Sequence, residues 1–589
     1  MRLAARGTAD HSKSFGNYVF ISVRGRSELR IVNSCDSQRI IIKRLIGGVR
    51  VEVIVKYNGD IFAVAQSVGG QAERLSEGYA VLTLPEEALD ELYLFTEIED
   101  IEMPKKLWLG AAKQLGSSCI STVQRMTGQG LSGEGVIVAV TDSGIDYTHP
   151  AFRYADGRTR ILSIWDQTID GSPPEGFNEG SEYSREEIDY ALTRDDPFSV
   201  VPSRDISGHG TAVAGIAAGS SQNNGVAYGS ELIIVKVGRR GNDVFAESTD
   251  IMRALRYTVD KARDYGRPAA INLSFGMNNG SHDGTSLFEE FIASIANEWK
   301  VVIVTPTGNE GAAGHHYGSR VAQGHDKYIR FFTAAGIESF YLTMWKNFAD
   351  SFNIELIYPD GSSSGIIRPE DHRRTVSSRG MLTNIIYGQP TRYSVDQEIF
   401  IKVQTREDYL QAGAWTLILH PVSIFDGRVS AWLPNSAEAG KGTYFSDPSV
   451  YNTMTIPSTA LKVIRVSGYN DSIGSIAPFS GVGSKDDPDA VPDVAAPAVN
   501  ILAPKAGGGY DSFTGTSFAA PFVTGSAALL MEWGIVRGNA PFLYGERIRA
   551  FLRLGARRAQ GGDHPDPYFG YGRLCLEDTL EQLEKYTFI

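Results

Sequence analysis

The chain has 589 residues, of which 42% are hydrophobic, 10% aromatic and 21% charged, and such a length suggests two to four domains. This composition supplies enough apolar surface for a large core and argues against disorder or coiled coil as the overall description. The 56 basic and 69 acidic residues give a net charge of −13, which makes nucleic acid or an anionic membrane surface a poor main partner.

The first 110 residues predict a polar leader followed by a small α+β unit. One strand is expected in the leader, at 18–23. In the unit, the alternating segments VEVIVKY (51–57) and YAVLTL (79–84) predict strands. A short helix is expected to begin after Pro85, and a last strand closes the unit before a linker at 103–119.

Near residue 120 the pattern changes to strands that alternate with helices. Continuous apolar runs of the kind buried in parallel sheets occur at 136–142, 232–237, 269–275 and 301–306. Between them, 248–266 has the spacing of an amphipathic helix that ends at a glycine. The alternation predicts an α/β domain with a doubly wound parallel sheet, formed by 111–324 and 453–589.

A β-rich segment at 325–452 interrupts this domain. Its short apolar runs are separated by Gly, Asp, Pro and Asn turns. This pattern predicts an inserted antiparallel sandwich or jelly roll, with Trp415 and Trp432 in its core rather than in a sugar site.

Several classes of site and location are not expected. The cysteines, Cys35, Cys119 and Cys575, are far apart and odd in number, which argues against a disulfide framework and a structural zinc site. The N-terminus has no apolar segment after its basic residues, and no run of 18 apolar residues occurs. We therefore expect no signal peptide, no membrane span and synthesis in the cytoplasm.

Three short motifs carry the candidate chemistry. Asp142, in VAVTDSGIDYTHP, ends a buried strand, and His209, in SGHGTAVAGIAAG, opens a helix between two glycines. Ser517, in FTGTSFAAPFVTG, starts a helix, where the backbone field favours developing negative charge. Each motif alone is more often a turn or a cap, but all three in the order Asp, His, Ser on an α/β pattern indicate a nucleophilic triad.

With these motifs the chain resembles the subtilisin-like serine proteases, the subtilases of peptidase family S8. The resemblance implies that Ser517 is the nucleophile, His209 the base and Asp142 the group that orients the imidazole. In the same way, TGNEG (307–311) implies Asn309 as the side-chain donor of the oxyanion hole. INLSFG (271–276) implies that Ser274, Phe275 and Gly276 hold an extended protein or peptide substrate by strand pairing.

Other polar residues near the motifs are interpreted as structural. His149 and Asp146 are expected in a turn rather than in catalysis. The pair His315–His316 lacks an evident third ligand, so no metal site is assigned there. The loop at 219–229 is too short for the calcium loop of many subtilases, and we expect neither a metal nor a cofactor.

The combination of an N-terminal unit, a β-rich insert and no secretion signal is most similar to the clostridial Csp spore-germination proteases. That likeness implies a prodomain that acts as a chaperone, is removed by self-cleavage between about Lys105 and Gly116, and stays bound in the cleft, along Ser274–Gly276. It also implies packaging in the spore, a pseudoprotease partner and activation of a cortex-hydrolase zymogen. The alternatives are a subtilase of unknown substrate and a non-catalytic sensor on a subtilase scaffold.

Overall fold

The structure is a computed structural model. It describes residues 18–23, 26–31, 50–107, 118–125, 130–220, 225–239, 246–378, 380–390, 394–406, 408–558 and 565–587.

The N-terminal region contains a hairpin and a four-stranded antiparallel sheet. The elements are β1 (Tyr18–Val23), β2 (Arg26–Ile31), β3 (Arg50–Tyr57), α1 (Ile61–Ser67), β4 (Gln71–Ser76), β5 (Tyr79–Pro85) and β6 (Ile98–Glu102). The sheet has the order β4-β5-β3-β6, with α1 packed on it and capped by the Asp60 carboxylate. Sequence analysis missed α1 and β4. The helix expected after Pro85 is instead two short 3₁₀ turns, Glu86–Ala88 and Asp90–Leu94.

The half of the α/β domain that precedes the insert follows the predicted strand–helix alternation. It follows β7 (Lys106–Leu107), the tail strand of the N-terminal region. Its elements are α2 (Ile120–Arg125), β8 (Ile137–Asp142), β9 (Ile161–Asp166), β10 (Ser181–Ser184), α3 (Arg185–Ala191), α4 (His209–Ala218), β11 (Glu231–Lys236), β12 (Ala246–Glu247), α5 (Ser248–Asp264), β13 (Ala269–Leu273), α6 (Leu287–Ile295) and β14 (Val301–Pro306).

The insert is a sandwich of two antiparallel sheets. Its elements are β15 (His316–Arg320), β16 (Lys327–Thr333), β17 (Ser339–Asn347), β18 (Ser351–Ile357), β19 (Arg373–Ser378), β20 (Met381–Tyr387), β21 (Asp396–Thr405), β22 (Gly413–Ser423), β23 (Arg428–Trp432), α7 (Ser436–Ala439) and β24 (Tyr444–Phe445). The sheet orders are β15-β23-β17-β21-β20-β19 and β18-β22-β16-β24. Strand β15 lies ahead of the expected boundary at 325, because it pairs with β23 of the insert.

The chain then returns to the α/β domain. The remaining elements are β25 (Ile464–Asn470), β26 (Ser475–Ile476), β27 (Val494–Pro497), β28 (Val499–Pro504), β29 (Tyr510–Thr514), α8 (Ala520–Met531), a π-helical turn (Glu532–Val536), α9 (Glu546–Leu554) and α10 (Leu576–Thr587). The stretch Thr516–Val536 is long and apolar enough to cross a membrane, but 83% of its most apolar window is buried, as in the core helix of a domain.

A nine-stranded sheet organises the α/β domain. Its path is β10-β9-β11-β8-β13-β14-β25-β26, with β27 beside β25, and the strands between β10 and β26 run parallel. In β8, Val138 and Val140 point to the core under α4 and α8, while Ile137 and Ala139 point to the core under α5 and α6. Helices thus cover both faces, as a doubly wound sheet requires.

Two buried tryptophans have different positions in the insert. Trp415 is fully buried in the sandwich core, where its indole N–H donates to Thr333 Oγ1 at 2.9 Å. Trp432 instead lies where the insert meets the α/β domain, stacked between the rings of His282 and His316 at centroid distances of 4.2 and 4.6 Å. The insert is therefore packed against the domain that it interrupts.

The N-terminal sheet also packs on the α/β domain. Ile54, Leu75 and Val81 of this sheet share a core with residues of α5 and α6. At the edge of this contact, Lys56 Nζ lies 3.0 Å from Glu290 Oε2 on α6. The sheet thus covers two surface helices of the α/β domain.

Cys119 and Cys575 form a disulfide, which corrects the expectation drawn from the spacing of the cysteines. The two residues are 456 positions apart in sequence, yet their Cα atoms are 4.9 Å apart. One cysteine precedes α2 and the other precedes α10, so the bond ties the start of the α/β domain to its last helix. Cys35 lies outside the described residues.

Replacing Cys575 with serine is expected to lower the stability of the oxidised protein by about 2–4 kcal/mol, because the open chain gains conformational freedom when it unfolds. Urea unfolding with and without reductant measures this effect. Cys35→Ser is the control, since it removes a thiol and leaves the observed pair. Equal urea midpoints for Cys575→Ser and Cys35→Ser under oxidising conditions would contradict the prediction.

Candidate active site

Asp142 and His209 are in direct contact at the carboxyl end of β8. His209 Nδ1 lies 2.7 Å from Asp142 Oδ1, and the same oxygen accepts the Ser143 N–H at 2.7 Å. Both side chains are buried, with 0% of the Asp142 residue surface and 7% of the His209 residue surface exposed. Since a carboxylate only accepts, Nδ1 carries the proton in this contact, which fixes the imidazole tautomer.

Gly210 allows this close approach. A Cβ atom at Gly210 would lie 2.2 Å from the Gly144 carbonyl oxygen and 3.1 Å from Asp142 Cβ. Any other residue would push the helix that carries His209 away from β8.

Asp205 is a supporting residue that sequence analysis missed. Its Oδ2 accepts the Thr211 N–H at 2.8 Å, and its Oδ1 accepts the Gly208 N–H at 2.9 Å and the Ser143 hydroxyl at 2.8 Å. It therefore fixes the first turn of α4 to the residue after Asp142. The available signal was an Asp four residues before the motif histidine, in the position of a capping group.

Ser517 lies in the 3₁₀ turn Thr516–Phe518, directly before α8. The ring of Phe518 packs against the His209 imidazole with centroids 4.8 Å apart, which brings the serine turn next to the Asp142–His209 pair. The Ser517 carbonyl accepts the Ser274 hydroxyl at 3.0 Å. Ser274 in turn accepts from the Asn272 amide at 2.7 Å, so its side chain supports the serine turn from below.

Asn309 is held beside Ser517 by its amide oxygen. Asn309 Oδ1 accepts the Thr516 N–H at 2.9 Å and the Thr516 hydroxyl at 3.0 Å. Because a backbone N–H only donates, the atom that faces it is the oxygen, and the NH₂ group is the end of the amide left for the adjoining cavity.

A cavity of about 190 Å³ opens beside these residues. Ser517, Asn309, Phe275 and Gly276 line it, together with residues of the insert. Of the three predicted substrate-binding residues, Phe275 and Gly276 thus face the cavity, whereas the Ser274 hydroxyl is engaged beneath Ser517.

The described tail of the N-terminal unit ends in a short strand on the α/β domain. In the described part of the tail, β7 (Lys106–Leu107) pairs antiparallel with β12 (Ala246–Glu247), not with Ser274–Gly276. Lys105 extends this pairing to Ser248: the Ser248 N–H donates to the Lys105 carbonyl at 2.6 Å. Residues 108–117, where the cleavage was expected, lie outside the described residues.

The other polar residues singled out from the sequence have structural contacts. Asp146 Oδ1 accepts from Thr148 and its Oδ2 accepts from Gly507, while His149 caps the 3₁₀ turn Pro150–Phe152. His315 lies between the Glu310 carboxylate and the Thr443 carbonyl, at 2.6 and 2.8 Å. Within the described residues, one group of three metal-type ligands occurs, Cys119, Cys575 and Glu577, and its two sulfurs are already bonded to each other.

Two known family profiles match parts of this chain. The profile of the subtilase family, Peptidase_S8, matches residues 133–383 and 435–572. The chain belongs to the subtilase family. A second profile, the Csp protease B prodomain, matches residues 43–105, so the N-terminal sheet of this subtilase is a prodomain. The predicted fold class and enzyme class, a subtilisin-like serine endopeptidase, are confirmed.

Three known proteins illustrate what this subtilase is similar to. The solved structure of the CspB protease of Clostridium perfringens is 37% identical, with a TM-score of 0.73, over 80% of this chain and 97% of that one. A PII-type proteinase of Lactococcus lactis subsp. cremoris is 24% identical over 72% of this chain and 24% of its own length. Subtilisin NAT of Bacillus subtilis subsp. natto is 37% identical over 19% of this chain and 26% of its own. The subtilase described here thus spans about a quarter of the lactococcal proteinase.

Calcium is expected to leave the unfolding temperature of this subtilase unchanged. The Gly225 N–H donates to the Gly219 carbonyl at 2.7 Å, so the loop after α4 closes over a short span. A calcium site in the folded state would add about 2.7 kcal/mol of stability at a hundred-fold excess over its dissociation constant. Thermal unfolding of metal-stripped protein with calcium, and with magnesium as the control, measures the difference. A rise specific to calcium would contradict the prediction.

Proposed function

We propose that this chain hydrolyses peptide bonds through Asp142, His209 and Ser517. The observation that carries the proposal is the 2.7 Å contact between His209 Nδ1 and Asp142 Oδ1, next to the Ser517 turn. In this mechanism Ser517 Oγ attacks the scissile carbonyl carbon while His209 Nε2 takes its proton. His209 then gives the proton to the leaving amine, Asp142 stabilises the imidazolium, and a water molecule hydrolyses the acyl-enzyme by the same steps.

The oxyanion of the tetrahedral intermediate is bound by two donors in this proposal. One is the Asn309 NH₂ group, whose orientation follows from the bonds that Thr516 makes to Asn309 Oδ1. The other is the Ser517 backbone N–H. Removing one such donor typically lowers turnover by about 10²–10³-fold, a range known from subtilisin.

The prodomain is proposed to be removed by the chain's own active site and to remain bound afterwards. Two features support this view. Its sheet packs on α5 and α6, and its tail leaves that sheet as strand β7 on β12. These contacts involve residues up to Leu107, so they persist when a bond beyond Leu107 is cut.

The physiological role is proposed from the likeness to the CspB protease of Clostridium perfringens and to the Csp prodomain. In this proposal the enzyme is made in the cytoplasm, is packaged in the spore with a pseudoprotease partner, and activates a cortex-hydrolase zymogen on germination. The disulfide between Cys119 and Cys575 requires, in this proposal, that the mature protein reside in oxidising surroundings, since such bonds persist there.

Self-processing tests the proposed activity directly. Denaturing electrophoresis and N-terminal sequencing of the purified wild type are expected to show two fragments, cut between Lys105 and Gly116. Ser517→Ala, made in a host that lacks proteases, is expected to show one full-length band. Two fragments from Ser517→Ala would contradict self-cleavage. Failure of a fluorophosphonate to label Ser517 in the folded wild type would favour the non-catalytic sensor or an enzyme occluded by its prodomain, and self-cleavage distinguishes the two.

A further inference from the structure

We propose that the β-rich insert forms one wall of the pocket that receives the substrate side chain preceding the cleaved bond. The inference rests on the proposed endopeptidase activity and assigns a role to the insert within it. The cavity beside Ser517 has two sides of different origin. The α/β domain contributes Phe275, Gly276 and Asn309, and the insert contributes the turn Asn435–Ala437.

Asn435 holds the turn Asn435–Ala437 against the substrate-binding segment that contains Gly276. Its amide nitrogen donates to the Gly276 carbonyl at 3.3 Å, while its Oδ1 accepts the N–H groups of Ala437 and Glu438, both at 3.1 Å. Asn435 is 5% exposed. One buried side chain therefore caps the short helix α7 and holds it against the segment Phe275–Gly276, which lines the cavity.

Glu310 and His315 position the same turn from the α/β side. Glu310 Oε1 accepts the Ser436 N–H at 3.2 Å, and Glu310 Oε2 accepts the Ser436 hydroxyl at 3.3 Å. His315 Nδ1 lies 2.6 Å from Glu310 Oε2, and its Nε2 lies 2.8 Å from the Thr443 carbonyl of the insert. Glu310 and His315 are 6% and 3% exposed, so this link is shielded from solvent.

These contacts decide which side chains the pocket can take. The Glu310 carboxylate lines the cavity, but its oxygens are engaged by His315 and Ser436, which leaves it poorly placed to pair with a substrate lysine or arginine. A substrate carboxylate would meet the same negative group. The pocket therefore favours an uncharged side chain.

The size of the cavity further limits which uncharged substrate side chains the pocket can accept. Its volume of about 190 Å³ is below the roughly 300–1,000 Å³ of a small-molecule site. That space suits one side chain of intermediate length, such as leucine, methionine or glutamine. Ala437 is exposed on the insert side of this space, so a larger residue there would shorten the pocket without disturbing a core.

Ala437→Leu tests the wall, and Ala412→Leu is its matched control. Ala412 is also exposed on the insert but does not line the cavity. Peptidyl diphenyl phosphonates that differ only in the residue next to phosphorus, leucine or alanine, report the labelling rate of Ser517. We expect Ala437→Leu to lower the leucine-to-alanine rate ratio by at least about tenfold, the effect of a methylene-sized change in an apolar pocket. Ala412→Leu is expected to keep the wild-type ratio.

Self-processing offers a second readout that needs no access to the cleft from solvent. Beyond Leu107, which is paired in β7, the expected cleavage window holds three uncharged residues of intermediate size, Leu109, Gln114 and Leu115. It also holds the small residues Gly110, Ala111 and Ala112. In the wild type we expect the cut after one of the first three. In Ala437→Leu the cut should slow at least about tenfold or move to follow a small residue, and in Ala412→Leu it should not change.

The outcomes separate this inference from the activity on which it rests. If a simple fluorophosphonate labels Ser517 but Ala437→Leu keeps both the wild-type rate ratio and the wild-type cut, the insert does not shape the pocket and the proposed mechanism stands. A preference for lysine, arginine or glutamate next to the cut would also overturn the inference. If neither kind of probe labels the wild type and the wild type also fails to cleave itself, the proposed function fails and the inference fails with it. Self-cleavage without labelling would show an active enzyme whose cleft is occupied, and the position of the cut then tests the inference.

Discussion

Ser517→Ala and His209→Ala are each expected to lower peptide hydrolysis by about 10⁶-fold, close to the loss seen in subtilisin when either group is removed. The losses are similar because the nucleophile and the base act as one unit. Asp142→Asn should cost about 10⁴-fold, since an amide at that position favours the wrong imidazole tautomer. The measurement is kcat/KM on a peptide cut by the wild type, with circular dichroism as the check on folding.

The control for these variants is His149→Ala. His149 is also a histidine near the Asp142 motif, but its side chain caps a 3₁₀ turn and its Nε2 lies 3.0 Å from the Gly509 carbonyl. The His149→Ala substitution should therefore lower the free energy of unfolding while leaving turnover nearly unchanged. A folded His209→Ala protein with nearly wild-type kcat/KM would remove His209 from the mechanism.

Arg253→Met is expected to release the cleaved prodomain. Arg253 lies on α5 and is 5% exposed, and its guanidinium reaches Glu52 at 2.7 Å and Glu73 at 2.8 Å on the prodomain. Burial opposes the charge on Glu52, yet Arg253 and Arg239 hold the pKa of this carboxyl below its usual value. Without Arg253 the two prodomain carboxylates are buried with less compensation.

Breaking a buried ion pair on one side typically costs about 3–5 kcal/mol, which corresponds to binding at least about a hundred-fold weaker. Gel filtration of the processed protein over a dilution series measures whether the two fragments still co-elute. Glu52→Gln with Glu73→Gln repeats the test from the prodomain side, so that a folding defect of the catalytic domain can be recognised.

Arg263→Met is the matched control on the same helix. Arg263 is 52% exposed and pairs with Asp260 and Glu298 at the surface. Surface pairs of this kind contribute about 0–1 kcal/mol, so the prodomain should stay bound. Equal co-elution of the Arg253→Met and Arg263→Met proteins would show that the apolar contact of the prodomain sheet alone retains it.

Much of this protein was predictable from short stretches of sequence. The strands at 136–142 and 301–306 are continuous apolar runs, and the structure has them at Ile137–Asp142 and Val301–Pro306. The leader strand was also predicted at its observed bounds, Tyr18–Val23. These features depend on the periodicity and burial of neighbouring residues, which the local sequence carries. The three motif residues could be named for the same reason, since each sits in a short and specific pattern.

Only the tertiary structure decided the contacts between distant parts of the chain. The disulfide joins cysteines 456 positions apart, and the described end of the prodomain tail, Lys106–Leu107, pairs with β12. The supporting role of Asp205 and the pocket wall at Asn435–Ala437 belong to the same class. Such contacts follow from the order of strands in the sheet and from how the insert packs on it. No local pattern encodes that order, so these partners are identified only when the whole chain is folded.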